Sequence, residues 1–423
     1  MTIEFLLKTL RQAVESGVKS LDISDCEISD LPPEIGELSQ LNALSLSGNQ
    51  LRSLPPEFSQ LQNLKILDLE WNRFEEIPDE VFEISGLREL YIGGNFLSEI
   101  PDDIENLPQL EKLFVNNNRI QEVSPKLGKI SSLRELSLRS NQIVDLPSDF
   151  HRLTRMRDLS LRQNQLREFP AEILTLENLH NLSLNHNQIP SIPSKIFKLL
   201  NLRQFAIGGN EIEGIPQEVG GLKLLKILYA YDNKLEAIPP EIGNLENLEE
   251  LYLYHNKIRE IPVEIARLKK LKVLSISSNY LSDLPEELAE LQDLRSMAIS
   301  DNQFRQLPQA IAAIDRLEEL SIGGNGFEEF PKAVLQLDRL KSLALWDVPL
   351  GTIPPEIARL SELEILNVRN TGLNDLPLEL AQLERLKYLY TDNNPLTALS
   401  DEVVEAGNEA ILNDLRRRSM DLS

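Results

Sequence analysis

A 23-residue repeat constrains the fold of this chain more than any other feature of its sequence. The frame L-x-x-L-x-L-x-x-N-x-L-x-x-L-P-x-x-I-x-x-L-x-x begins at Val18 and occurs 17 times in succession, without insertion or deletion, through residue 408. A unit of this length cannot bury an apolar face alone, so neighbouring units must stack and share one continuous core. The sequence therefore predicts a solenoid of 17 repeats.

Three columns of the repeat predict its local structure. The fourth and sixth positions, such as Leu44 and Leu46, alternate with variable residues, which is typical of a short strand with one buried face. The ninth position is Asn in 14 repeats, and its amide both donates and accepts, so we predict a stacked column that satisfies backbone groups between turns. The fifteenth position is Pro in 15 repeats, which directs the chain into a turn. Val348 lacks the amide and precedes Pro349, which predicts a local irregularity.

This pattern resembles the leucine-rich repeat family, in its 23-residue, LPxxI-containing intracellular type, over 391 of the 423 residues. The resemblance implies an α/β solenoid, a right-handed horseshoe with a parallel β-sheet on the concave face and helical or irregular turns on the convex side. Proteins of this family work mainly by holding other proteins against the concave face. The resemblance therefore implies a protein-binding function.

Amphipathic segments flank the repeats. The first contains Leu6 and Leu10 on one helical stripe, with Gly17 as a C-terminal stop, and the tail carries Ile411 and Leu415 on a comparable stripe. Both segments are expected to cover open ends of the stack. The sequence predicts three parts: an N-terminal capping helix at 1–17, the repeat solenoid at 18–408, and a C-terminal capping helix at 409–423.

The tail is also similar to the segment that closes the repeat module of bacterial Roco-type proteins, and the repeats are similar to those of Ras-group leucine-rich repeat scaffolds. The sequence contains no G-x-x-x-x-G-K-[ST] phosphate loop. We therefore expect no GTPase activity from this polypeptide.

The composition excludes several classes of function. With 67 Asp plus Glu against 43 Lys plus Arg, the net charge is −24, which argues against nucleic acid and anionic membranes and favours a neutral or basic protein partner. One cysteine, Cys26, excludes an internal disulfide framework. No apolar stretch is long enough for a membrane span, and residues 1–20 lack a secretory signal pattern. We expect a cytoplasmic monomer.

Catalytic and metal-binding groups are sparse. His186 and His255 share the eighth repeat position but lie three repeats apart, roughly 14 Å at ~4.8 Å per strand, so they cannot ligate one metal. Cys26 has no histidine near it to act as a base. We expect no catalytic residue, no metal and no cofactor, and hence no enzyme.

Aromatic residues divide between two kinds of position. Most phenylalanines occupy core columns, whereas tyrosine and tryptophan occupy the variable positions in or beside the strands. Such residues on a rigid face are typical of binding hot spots, although aromatic side chains also simply suit strands. The candidate binding residues of this kind are Trp71, Tyr91, Phe114, Tyr229, Tyr231, Tyr252, Tyr254, Trp346 and Tyr390.

The principal contact surface is predicted at Tyr229, Tyr231, Tyr252 and Tyr254, at the fifth and seventh positions of two adjacent repeats. Neighbouring strands lie ~4.8 Å apart, so these four rings are expected to form a contiguous square. Asp232 and His255 are predicted at its margin, where they would supply directional hydrogen bonds.

Arg139 and Arg162 share the seventh position in two other adjacent repeats, flanked by Asn116 and Asn185. They are predicted either to hold an acidic side chain of a partner or only to relieve self-repulsion in an acidic chain.

These features predict a non-enzymatic scaffold or adaptor that binds a protein partner on the concave face. The alternatives are a sensor or regulatory subunit of a Roco-type or Ras-type GTPase system, and an inhibitor or immunity protein for a basic partner.

Overall fold

The computed structural model describes residues 2–420 and divides into two compact units, one ending at Glu211 and one beginning at Ile212. Each repeat contributes one three-residue parallel strand, at its third to fifth positions. The first unit has nine such strands, Ser20–Asp22, Ala43–Ser45, Ile66–Asp68, Glu89–Tyr91, Lys112–Phe114, Glu135–Ser137, Asp158–Ser160, Asn181–Ser183 and Gln204–Ala206. The second has eight, Ile227–Tyr229, Glu250–Tyr252, Val273–Ser275, Ser296–Ala298, Glu319–Ser321, Ser342–Ala344, Ile365–Asn367 and Tyr388–Tyr390. One strand per repeat confirms the predicted 17-repeat solenoid.

Neighbouring strands pair in register because every repeat has the same length. Leu44 pairs with Leu67, and Leu67 pairs with Leu90. The fourth-position side chains therefore stack into one buried column, and sixth-position residues such as Leu46 lie in the same core. Burial of this apolar surface, repeated at each step, is the main stabilising contribution.

A short helix follows the fifteenth position of each repeat. Pro147 and Pro170 precede their helices with φ of −66° and −64°, the value that the proline ring imposes. Where proline is missing, the side chain of Ser124 accepts a hydrogen bond from the N–H of Lys126 at 3.0 Å.

These helices are mostly of the 3-10 type. In the first unit they are Pro33–Glu37, Pro56–Gln60, Asp102–Asn106, Pro125–Lys129, Ser148–Arg152, Ala171–Thr175 and Ser194–Lys198, with one α-helical turn at Asp79–Phe82. In the second they are Gln217–Gly221, Pro240–Asn244, Val263–Arg267, Glu286–Glu290, Lys332–Gln336, Pro355–Arg359 and Leu378–Gln382, with α-helical turns at Gln309–Ala312 and Asp401–Glu405. A small parallel pair, Glu99–Ile100 with Glu122–Val123, lies between strands and helices in the first unit.

The ninth-position asparagines form the hydrogen-bonded column that the sequence predicts. Nδ2 of Asn256 donates to the carbonyls of Ala230 and Leu253 at 3.0 and 2.8 Å. Its Oδ1 accepts from the N–H of Leu235 at 3.1 Å, and Asn164 makes the corresponding bonds in its own repeat. Because Ala230 and Leu235 belong to the preceding repeat, each amide joins two turns of the solenoid.

The column is interrupted at Val348, where the sequence predicts an irregularity. The side chain of Val348 is buried and carries no amide. Just after it, the N–H of Leu350 donates to the backbone carbonyl of Thr371 at 3.1 Å, and Gly351 adopts a left-handed φ of +67°. The acceptor that the column would provide for Leu350 is position 371, which is threonine, so the altered hydrogen bond follows from Thr371. The irregularity beside Val348 itself is the left-handed backbone at Gly351.

The eighth position of every repeat has a left-handed backbone, which the sequence analysis did not identify. Four of these residues are glycine, but Trp71 and His255 adopt φ of +54° and +56°. The left-handed region costs an L-residue about 1–2 kcal/mol. Backbone hydrogen bonds between repeats hold it in place, as where the N–H of Trp71 donates to the carbonyl of Gly93 at 2.8 Å.

A longer helix packs on each terminal repeat. The helix Ile3–Ser16 buries Leu6 and Leu10 and ends at Gly17, with a φ of +59°. The helix Asn408–Met420 buries Ile411 and Leu415, and the last three residues of the predicted segment 409–423 lie outside the described residues. Within residues 2–420, no helix is long and apolar enough to cross a lipid bilayer.

Candidate functional site

In each unit, the third, fifth and seventh positions of the repeats form the uncovered side of the sheet, called here the open sheet face. Their side chains alternate along each strand with the buried fourth and sixth positions, since successive strand residues point to opposite sides. The strand Glu250–Tyr252 shows this pattern, with Leu251 buried between two half-buried residues. The open sheet face is where the sequence predicts the binding residues.

Tyr229, Tyr231, Tyr252 and Tyr254, the tyrosine square, lie together on this face of the second unit. The rings of Tyr229 and Tyr252 stack with centroids 4.8 Å apart, and those of Tyr231 and Tyr254 stack at 4.7 Å. Tyr229 meets Tyr231 edge to face at 6.4 Å. The predicted contiguous square is present, and all four rings are half-buried. Their mutual stacking explains this burial, which is greater than the sequence analysis expected.

Three hydroxyls of the square have a raised pKa. The hydroxyl of Tyr252 donates to the carboxylate of Glu250 at 2.9 Å. Burial, followed by this hydrogen bond, raises the pKa of Tyr252 well above its usual range. Burial likewise raises the pKa of Tyr229 and of Tyr254, so these three side chains are presented as neutral phenols.

Asp232 and His255 stand at the margin of the square, as predicted. Both are exposed and both occupy left-handed eighth positions. The His255 ring meets the Tyr254 ring edge to face at 5.6 Å, and the charge of Asp232 contributes to the raised pKa of Tyr254. These two side chains therefore place polar groups beside the rings.

The remaining aromatic candidates do not join the square. Tyr91 and Phe114 stack with centroids 5.1 Å apart in the first unit, and the hydroxyl of Tyr91 donates to Glu89 at 2.7 Å. Trp71 exposes 59 % of its surface. Its indole covers Gly94, where a Cβ atom would lie 2.5 Å from the ring, so only glycine fits beneath it.

Two further candidates lie near the C-terminal end of the second unit. The indole of Trp346 covers Gly323, whose absent Cβ would lie 2.6 Å from it. The guanidinium of Arg369 lies over the Tyr390 ring at 4.6 Å and forms an ion pair with Asp392 at 2.6 Å. The Tyr388 ring is parallel to that of Tyr390, with centroids 6.5 Å apart.

Arg139 and Arg162 lie in adjacent repeats of the first unit. The Nε of Arg139 donates to Gln163 Oε1 at 3.4 Å. The flanking asparagines bond elsewhere, since Asn116 hydrogen-bonds to Glu70 and Asn185 Oδ1 accepts from the N–H of Gly208 at 2.6 Å. The two arginines are therefore the charged groups of this patch, and the flanking Asn116 and Asn185 bond to other groups.

Sequence reasoning missed the carboxylates that accept from the tyrosines and the arginine over Tyr390. A signal for the first exists, since Glu-Leu-Tyr occurs at both Glu89 and Glu250 and puts the acid two residues before the ring on the same face. Arg369 shares the seventh position with Arg139 and Arg162. No three His, Cys, Asp or Glu side chains within residues 2–420 are grouped to hold a metal ion.

A profile of leucine-rich repeat regions matches residues 18–147, 194–300 and 241–343. The chain belongs to the leucine-rich repeat family.

Solved structures with the same fold come from bacteria and plants. A leucine-rich repeat protein of Leptospira interrogans is 33 % identical, with a TM-score of 0.81 over 94 % of this chain and 95 % of that one. The ectodomain of the Arabidopsis thaliana receptor kinase GASSHO1/SCHENGEN3, in complex with CASPARIAN STRIP INTEGRITY FACTOR 2, is 29 % identical, with a TM-score of 0.70 over 90 % of this chain and 51 % of that one. An internalin, InlF, of Listeria monocytogenes is 26 % identical, with a TM-score of 0.63 over 79 % and 88 %. No curated protein matches significantly.

Proposed function

We propose that this chain is a non-enzymatic scaffold that binds a protein partner on its open sheet face, with the tyrosine square as the principal contact. The observation that carries the proposal is the set of four tyrosine rings stacked in pairs at 4.7 and 4.8 Å on a face with no core role. The columns beneath are already filled, since Leu228, Leu251 and Leu253 are fully buried. The rings are therefore available for contact.

The square suits a binding hot spot for an energetic reason. Large aromatic side chains bury much area on contact, and stacking against each other fixes their rotamers before a partner arrives. Side-chain ordering is one of the costs of association, so rings that are already ordered lose less freedom on binding.

The relatives support this class of function. Leucine-rich repeat proteins are typically interaction modules, and the Arabidopsis ectodomain was solved in complex with another molecule named as a factor. We further propose that the chain is a cytoplasmic monomer, which the LPxxI-type repeat supports. The net charge of −24 supports a partner that is neutral or basic.

The test is a tyrosine replacement measured against the native partner. The partner is captured with the wild-type chain from the source cells, identified by mass spectrometry, purified and titrated. Replacing Tyr231→Ala together with Tyr254→Ala is expected to weaken binding by about 2–4 kcal/mol, in the hot-spot range. Loss of the stack is expected to lower the free energy of unfolding by about 1 kcal/mol.

A matched control replaces two exposed aromatic residues outside the open sheet face, Phe197→Ala and Tyr280→Ala, and is expected to leave the affinity unchanged. Equal affinity of the wild type and the square variant would contradict the assigned surface. A GTPase as the captured partner would favour the regulatory-subunit alternative.

A further inference from the structure

The first unit carries a second distinctive patch, centred on two arginines without an acidic partner. Arg139 and Arg162 make no ion pair within residues 2–420, although the chain has 67 acidic residues against 43 basic ones. By contrast Lys112, on the same face, lies 3.8 Å from Glu89 and 3.5 Å from Glu135. The basic residues at the third, fifth and seventh positions are Lys112, Arg139, Arg162 and Arg369. Lys112 and Arg369 are paired with carboxylates, so among the described residues Arg139 and Arg162 are the two guanidiniums of this face without an acidic partner.

Arg162 also holds an unsatisfied donor. Its Nε is buried and has no hydrogen-bond partner among the described residues. A buried donor without a partner is unfavourable, and more so on a charged group, because it has lost its hydrogen bonds to water without gaining others. A ligand that accepts a hydrogen bond from this Nε would remove that cost, so the unpartnered donor favours binding of an acceptor.

The acids nearest in the strand pattern are already engaged. Glu135 is paired with Lys112, and Asp158 accepts a hydrogen bond from the side chain of Asn181. Both acids occupy the third position, which lies about 13 Å along the strand from the seventh-position arginines. Neither carboxylate is placed to neutralise the arginines.

A recess lies beside the arginines along the same strands. It has a volume of about 310 Å³ and is floored by Ser137, Ser160 and Ser183, with Phe114 among its lining residues. These serine hydroxyls make no hydrogen bond within residues 2–420. Glu135 and Asp158 also line it, on the side away from the seventh-position arginines. The recess therefore offers serine hydroxyls and one aromatic ring between the arginines and these two carboxylates.

We propose that Arg139 and Arg162 form a carboxylate-binding site that takes an Asp or Glu side chain from an extended segment of a protein partner. The two arginines are ~4.8 Å apart at the backbone, a spacing at which two guanidiniums grip one carboxylate through charge-assisted hydrogen bonds. The neighbouring serines accept and donate to the peptide backbone, and the recess admits the adjoining side chain. This assignment rests on the proposed function, that the chain binds a protein.

The test uses random peptides displayed on phage and selected on purified full-length protein. Four proteins are compared: the wild type, the pair Arg139→Gln with Arg162→Gln, a control pair Arg155→Gln with Arg167→Gln, and Tyr231→Ala with Tyr254→Ala. The control removes the same charge from the same two repeats, at exposed residues outside the strands. It therefore separates a local site from the loss of net charge.

We expect peptides selected on the wild type to be enriched in Asp or Glu at one position, and replacement of that residue by Gln or Asn to weaken binding about tenfold to a hundredfold. The same loss is expected with the Arg139 and Arg162 variant, while the control pair binds as the wild type does. The tyrosine variant is expected to keep this acidic class of peptides.

Three results would overturn the carboxylate site. They are the absence of acidic enrichment, its survival in the Arg139 and Arg162 variant, and its equal loss in the control pair. Displacement of the acidic peptide by inorganic phosphate at equal ionic strength, as effectively as by the unlabelled peptide, would show a general oxyanion site and would also overturn it. If non-acidic peptides are selected and lost only with the tyrosine variant, the carboxylate site fails while the proposed function stands.

Discussion

Two regions of the molecule share the same backbone but differ in their surface side chains. The arginine region is formed by the strands from Lys112–Phe114 to Gln204–Ala206. The tyrosine region is formed by the strands Ile227–Tyr229 and Glu250–Tyr252. Both bury leucine at the fourth position, as Leu159 and Leu251 show, and both place asparagine at the ninth. On the open sheet face, the arginine region has a serine floor and unpaired guanidiniums, whereas the tyrosine region is filled by stacked rings.

The difference shows that core packing and surface variation are assigned to separate columns of the repeat. The buried columns are constrained by packing against identical neighbours, so they vary little between the two regions. The third, fifth and seventh positions touch mainly one another and solvent, so they are free to change. Substitutions at equivalent positions in the two regions test this separation.

The largest expected effect comes from the leucine core. Leu159→Ala and Leu251→Ala should each lower the free energy of unfolding by about 2–5 kcal/mol, because each leaves a cavity in the same kind of site. The measurement is the urea midpoint. The controls are two serines on the open sheet face: Ser160, in the same repeat as Leu159, and Ser275, in the repeat after Leu251. Ser160→Ala and Ser275→Ala should each stay within about 0.5 kcal/mol of the wild type. A large difference between the two leucine variants would break the equivalence of the regions.

Substitutions in the asparagine column should give the second-largest loss of stability. Asn164→Ala and Asn256→Ala should each cost about 1–3 kcal/mol, because the N–H groups of Ile143 and Leu235 lose their buried acceptor. The exposed Asn178, which donates to the carbonyl of Thr154 at 2.8 Å, provides the control, and Asn178→Ala should be nearly neutral. The measurement is the thermal unfolding midpoint of all three variants. Equal losses in all three would show that any asparagine contributes, whether or not its amide is buried.

Alkaline pH should affect the stability of the two regions differently. Burial raises the pKa of Tyr252 above its ordinary value of 10.0, so above that pH the unfolded chain loses this proton first and the folded state becomes relatively less stable. The contribution is present at neutral pH and is lost as pH rises; it should be under about 1 kcal/mol per ring, since solvent screens these half-exposed groups. Tyr252→Phe should reduce this loss, as followed by tyrosinate absorbance and urea midpoints across the alkaline range.

The arginine region contains no tyrosine, so Ser183→Ala there should leave the alkaline profile unchanged. A profile that is identical in wild type and Tyr252→Phe would contradict the assigned hydrogen bond to Glu250.

The smallest expected effect is at Arg162. Arg162→Met removes the unpartnered buried Nε and should leave the free energy of unfolding unchanged or raise it by up to about 1 kcal/mol. Arg139→Met, at the exposed neighbour, should stay within about 0.5 kcal/mol. Marked destabilisation by Arg162→Met, read from calorimetric unfolding, would show that its guanidinium supports the fold.

Most of the architecture could be predicted from the sequence because the same residue pattern recurs in all 17 repeats, each with one strand. The strand positions, the asparagine column and the break at Val348 each follow from one column. The tyrosine square was also predictable, since its four residues share fixed positions in adjacent repeats of equal length. Glu250, which accepts from Tyr252, was also within reach, because the Glu-Leu-Tyr pattern places it two residues before the ring. Arg369, which lies over Tyr390, was harder, because it belongs to a variable column where no pattern distinguishes a contacting residue from a solvated one.

By itself, the sequence determined which residues are inside and which lie next to each other on the sheet, because a constant period fixes the register of every strand. Only the tertiary structure decided the left-handed backbone of the eighth position, which places residues as different as Trp71 and His255 in one conformation. It also decided the unmet Nε of Arg162. The first depends on hydrogen bonds between repeats, which hold Trp71 and His255 in a conformation that their residue types do not favour. The second depends on a side-chain rotamer, which arises from packing in three dimensions and leaves no periodic signal in the chain.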